Sequence, residues 1–208
     1  MWIKQAYLTI PLPYHTMAYD IKDVFYLDTE LAMPTGTSSG EANTVQLDLS
    51  AYIDPIARGK SKGTGLAIYR VMHSISTTSE GKQQPGMTLT GSFRAGLVAG
   101  AGLGSQDGAT LSGTANQPTA NNPLAVYGFD YYAPKSSIGN ASMPSPINVT
   151  FLTPSKEVPY VCVRDNVCVV ATMSVAMGTL SYISFRLECA QIKLDQGTLN
   201  QLLRTQTV

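Results

Sequence analysis

The chain has 208 residues, with 14 Lys and Arg against 14 Asp and Glu, and only 13% of positions charged. That length can bury a core without disulfides or metal, and the balanced charge excludes the electrostatic footprint of a protein whose main work is gripping nucleic acid. At 44% hydrophobic it is no charged, disordered chain, and zero net charge leaves little repulsion between copies.

The opening MWIKQAYLTIPLP has no basic run ahead of an apolar stretch, so no signal peptide is expected. Alternation and β-branched or aromatic residues then recur along the whole chain, while helical periodicity is nearly absent. Candidate strands fall at 3–8, 23–31, 44–49, 66–76, 87–94, 124–132, 147–152, 160–163, 167–174 and 180–193. Val45, Leu47 and Leu49 alternate with Gln46, Asp48 and Ser50, the pattern of a strand with one wet face. Ile183, Phe185, Leu187 and Cys189 alternate with Ser184, Arg186 and Glu188 in the same way. Gly, Pro, Ser and Asn punctuate the chain at 34–40, 59–65, 79–86 and 134–146. Such spacing predicts an all-β fold, an antiparallel sandwich of eight to ten strands, as one domain over 1–208.

Two segments differ in texture. Residues 86–122 are rich in Gly, Ala and Ser and short of large hydrophobes after Val98, which predicts a long loop inserted between strands. Near the C-terminus, Leu199, Leu202 and Leu203 stand at i, i+3, i+4, which predicts a short amphipathic helix over 195–204. So short a helix needs a packing partner, the sheet or a neighbouring subunit.

Three cysteines leave at least one unpaired. A two-residue turn at 165–166 would send Cys162 and Cys168 to opposite faces; a three-residue loop over 164–166 would set them opposite each other and permit a bond. Reduced thiols are the expectation, and with them synthesis and folding in a cytoplasm. The weakly polar run 167–180 is too short to span a bilayer.

Motifs with chemistry fail on context. Gly36-Thr37-Ser38-Ser39-Gly40 matches the spacing of a nucleophile elbow, with His73 downstream, but it lies in a loop leading into a strand. Gly59-Lys60-Ser61 lacks the earlier glycine of a phosphate-binding loop, since position 54 is Asp54. The glycine pairs at 100–104 lack the third glycine of a dinucleotide fingerprint. His15 and His73 stand apart with no metal-ligand spacing. The sequence therefore predicts no enzyme, no cofactor and no metal. Tyr127, Tyr131 and Tyr132 on one strand, with the tail leucines Leu199, Leu202 and Leu203, are the candidate subunit-interface residues. Lys60, Lys62, Arg70 and Arg94 are the candidates for weak nucleic-acid contact.

The passage from 44–52 (TVQLDLSAY) through a Pro/Gly loop to 66–71 (LAIYRV), with the closing run 180–193 and its short tail, resembles the single jelly-roll capsid proteins of small icosahedral viruses. The resemblance is one of organisation, over most of the chain. It implies two four-stranded sheets and a virion subunit made in the host cytoplasm, whose partners are copies of itself and other virion proteins. The first twenty residues depart from it, because Lys4 is their one basic residue where many such proteins carry an arginine-rich arm. That leaves nucleic-acid contact weak or indirect. A carbohydrate- or ligand-binding sandwich is the alternative from another class. Under the shell reading the tail holds subunits together, and removing 199–208 is expected to weaken assembly while leaving the sandwich folded.

Overall fold

The computed structural model describes residues 21–37, 42–54, 62–77, 91–100, 118–133 and 147–206. They form strands β1 (Ile21–Met33), β2 (Ala42–Asp48), β3 (Lys62–Thr77), β4 (Gly91–Ala99), β5 (Ala125–Ala133), β6 (Ile147–Leu152), β7 (Tyr160–Cys162), β8 (Asn166–Met173) and β9 (Ser181–Asp195), then one helix, α1 (Gln196–Thr205). Nine of the ten expected strands have a counterpart. The strand expected at 3–8 lies outside the described residues.

One sheet has the order β1-β9-β3-β7 and the other β2-β8-β4-β5-β6. Four antiparallel pairs are nested in the chain: β1 with β9, β2 with β8, β3 with β7, and β4 with β5. Nested pairing divided between two facing sheets is the jelly roll. Here β6 is an added strand beside β5, at the margin of the five-stranded sheet.

Side-chain alternation makes the core. Leu66, Ile68, Val71 and Ile75 from β3, with Ile183, Phe185 and Leu187 from β9, face Phe93, Ala95 and Leu97 from β4 and Phe129 from β5. A two-residue period cannot place both Ile68 and Val71 inward; a bulge between Ile68 and Arg70 resets it. Strand β8 is buried from Val167 to Ala171 without a gap. Its second face is closed over Cys168 and Val170 by Val98 and Leu124.

Three sequence expectations change. Residues 160–174 are no hairpin, because β7 belongs to one sheet and β8 to the other. Neither turn considered for Cys162 and Cys168 therefore exists. Cys162 lies between the sheets and Cys168 on the far side of β8, and all three cysteines are free and buried. The segment expected as a long insertion contains β4 at Gly91–Ala99. Gly96 pairs with Gly128 across β4 and β5; a Cβ on Gly96 would strike the Tyr127 carbonyl and Pro118, and one on Gly128 would strike the Phe151 ring.

The third change concerns the tail. Asp195 caps α1, its carboxylate accepting from the Thr198 amide at 2.9 Å. The helix lies on the outer face of the four-stranded sheet, where Leu199 is buried among Ala67, Tyr69, Ala190, Ile192 and Leu194, and Leu202 and Leu203 pack against the same cluster. Beyond it the buried Gln206 donates its amide to the Val161 carbonyl at 2.7 Å and accepts from the Val163 N–H at 3.2 Å. That side chain supplies the partner the edge of β7 would otherwise lack. The tail thus belongs to the subunit's own core. Leu199→Ala should cost about 2–5 kcal/mol and Gln206→Ala about 1–3 kcal/mol, read by urea unfolding; two silent substitutions would detach the tail from the core.

Candidate functional site

His73, Tyr127, Asn148 and Thr150 form one hydrogen-bonded group. His73 on β3 points between the sheets and stacks on Phe129 at 3.9 Å between ring centroids. Its Nδ1 is 2.6 Å from the Tyr127 hydroxyl, and the Asn148 amide donates to Nε2 at 3.0 Å. The Tyr127 hydroxyl lies 3.2 Å from Thr150 Oγ1. An Nε2 that accepts fixes the proton on Nδ1, so the ring is neutral. Burial pulls His73 below its ordinary 6.5 and pushes the Tyr127 phenol up. Burial likewise raises Cys162 and Cys189 to about 12 and Cys168 to about 11, which suppresses their thiolates. Among the described residues no three His, Cys, Asp or Glu side chains are grouped to hold a metal.

These hydrogen bonds orient β6. Asn148 and Thr150, both exposed, lie on the side of β6 that meets His73 and Tyr127, and the alternate set lies on the other side. Ile147 is 56% and Val149 51% exposed. Both sides of β6 reach solvent from Ile147 to Thr150: one side carries Asn148 and Thr150, bonded to His73 and Tyr127, and the other carries exposed apolar side chains. Tyr132, paired with Ile147 across the ladder, is 43% exposed beside them.

Ile147, Val149 and Tyr132 wall an open trough of about 470 Å³ on the outer face of the five-stranded sheet. Ser92 and Thr172 are part of its lining, and the Ser92 hydroxyl donates to Ser174 at 3.4 Å. Arg94 and Asp130 also line it, joined by two hydrogen bonds of 2.7 and 2.8 Å. The Arg94 guanidinium lies over Phe151, 4.8 Å from the ring centroid.

A second apolar surface occupies the outer face of β1. Val24 and Tyr26 (57% exposed) stand beside Asp28, which makes a bidentate pair with Arg186 at 2.6 and 3.2 Å. That guanidinium holds the Asp28 carboxyl below its ordinary range, and Arg186 sits 5.8 Å from the Tyr26 ring centroid.

The residues singled out in the sequence disperse. Of the tyrosines, Tyr127 and Tyr131 are buried in the inter-sheet core, and Tyr132 alone turns outward. Leu199 is spent inside the subunit, with Leu202 and Leu203 half-buried against the same cluster. Arg70 is exposed on the outer face of the four-stranded sheet, its Nη2 3.1 Å from Met72 Sδ, whereas Arg94 lies on the outer face of the other sheet, paired with Asp130. Lys62 opens β3 and is exposed; Lys60 lies outside the described residues, as does His15. Arg70 and Arg94 form no common basic surface. Ile147, Val149, Val24 and Tyr26 were not foreseen. The signal for the last two was Val24-Phe25-Tyr26-Leu27, four apolar residues in a row where a strand with one wet face shows two.

No protein-family model matches the chain, and no curated protein matches it. Solved structures similar to it include New Jersey polyomavirus VP1, at 9% identity and a TM-score of 0.40 over 83% of this chain and all of that one. The human polyomavirus 7 VP1 pentamer matches at 11% identity and a TM-score of 0.37, over 89% of this chain and 98% of that one. Desmodium yellow mottle tymovirus matches at 12% identity and a TM-score of 0.32, over 92% and 94%. These neighbours are viral jelly-roll capsid proteins. At such scores the fold assignment rests on the strand order.

Protonating His73 would set an Nε2–H against the Asn148 amide and bury a charge. Its pKa is lower folded than unfolded, so as pH falls below about 6.5 the unfolded chain takes up the proton first. Wild type should lose thermal stability there, before the carboxylates titrate, and His73→Gln should lack that component. Identical profiles for the two proteins by calorimetry would refute it.

Proposed function

We propose that the chain, as one domain over 1–208, is a structural subunit that assembles with copies of itself into a viral capsid, acting through surfaces and not through catalysis. The observation that supports this best is β6: an edge strand held with Ile147 and Val149 outward by hydrogen bonds on its other side. Pinning a strand in that orientation exposes hydrophobic surface in solution, and contact with a neighbour recovers the loss. Low charge density and zero net charge favour the same association. Nucleic acid, on this reading, is touched weakly or through other virion proteins, since Arg70 and Arg94 diverge. The buried free thiols suit a chain folded in a reducing cytoplasm.

A ligand-binding sandwich is the second reading, favoured by the trough beside Tyr132, which Ser92 and Thr172 help to line. Light scattering on the purified chain across a range of salt concentrations separates the two. Large particles of uniform mass or closed rings are expected. A species fixed at the 22.2 kDa of one chain under every condition would reject the shell subunit and leave the binding module.

A further inference from the structure

The two apolar surfaces occupy opposite margins of the sandwich. Strand β1 is an edge of the four-stranded sheet and lies against β2, which is one edge of the five-stranded sheet. Strand β6 is the other edge of that sheet. The surfaces also differ in shape: β1 carries a projecting side chain, Tyr26, with Val24 next to it, whereas β6 walls a trough.

We propose that Tyr26 of one copy seats in the trough between Tyr132, Ile147 and Val149 of the next, so that subunits join head to tail. This rests on the shell-subunit reading and names its contact. Three features favour a second copy as the occupant. The knob and the seat are on one chain, at positions that cannot meet within a molecule, and such a pair generates rings or continuous arrays. The seat suits a tyrosine, with apolar walls for the ring and a polar lining of Ser92, Thr172 and the Arg94–Asp130 pair for the phenol. Both margins are electrostatically self-contained: Arg94 is held by Asp130 and Arg186 by Asp28, so closing the contact strips water from no arginine lacking its own partner. Tyrosine in a desolvated pocket is the kind of anchor that dominates an interface; the flanking contacts shut out water.

Cysteine trapping on the full chain tests the arrangement. Tyr26→Cys and Val149→Cys are made separately, mixed, oxidised with diamide and run on non-reducing gels. Both positions are more than half exposed, and the three native thiols are buried and stay unreactive. The mixture should give a disulfide-linked dimer, each variant alone none, and the double variant a ladder. Dimers from either single variant would mean like surfaces meet, which overturns the head-to-tail contact. Assembled protein with no cross-link would overturn the seat and leave the shell reading standing; a wild-type chain that is monomeric throughout rejects both. Saturable heat on titration with cellotetraose, lost in Tyr132→Ala, would assign the trough to a sugar and also overturn the proposal. As a second variant, Val149→Asp should lose assembled mass with an unchanged melting temperature; unfolding of that variant, or assembly as in wild type, counts against the seat.

Discussion

A neutral imidazole between two sheets decides which way the margin of this protein faces. His73 can accept from Asn148 and donate to Tyr127 only while uncharged, and Thr150 then meets the same tyrosine. With Asn148 and Thr150 on that side of β6, strand geometry puts Ile147 and Val149 on the other. The trough, its apolar walls and the exposure of Tyr132 all follow from that orientation. Sliding β6 by one residue would reverse both faces and take Asn148 and Thr150 away from His73 and Tyr127. The hydrogen bonds therefore act as a register pin whose effect is read on the opposite side of the strand.

The treatment of the other edges supports the view that exposure at β6 is selective. The edge of β7, three residues long, is closed by the Gln206 side chain reaching both Val161 and Val163. The outer face of the four-stranded sheet is covered over one half by α1. Over the other half it carries paired polar groups, Asp28 with Arg186 and Ser184 with Glu30. Exposed apolar side chains stand next to these measures on β1 and β6, and Val158, between β6 and β7, is exposed as well.

Period-two patterning made most of the fold legible. The strand expected at 147–152 is β6 residue for residue, and the alternation from Ile183 to Cys189 is the inner face of β9. Patterning failed where side chains alone do not encode the third dimension. Nothing in 160–174 announces that the chain leaves one sheet and enters the other between Cys162 and Asn166. Gly96, which reads as loop, is strand, because it and its partner Gly128 lie where Pro118 and Phe151 approach the sheet. The sequence treats Tyr127, Tyr131 and Tyr132 alike, and the structure turns only Tyr132 of the three outward. The inward turn of Tyr127 and Tyr131 and the pairing of Arg94 with Asp130, 36 positions away, depend on register, which composition does not carry.

The nesting of the strand pairs also sets an order in time. Strand β1 is joined through its ladder to β9, so Met33 waits for Ser181 before it is held in place. At ribosomal speeds that wait is on the order of ten seconds or more. Throughout it Tyr26 has no sheet to be presented on, and the margin that bears it is finished only when nearly all of the described chain has been made. The face that carries Tyr26 thus exists only on a chain whose synthesis has passed through β9.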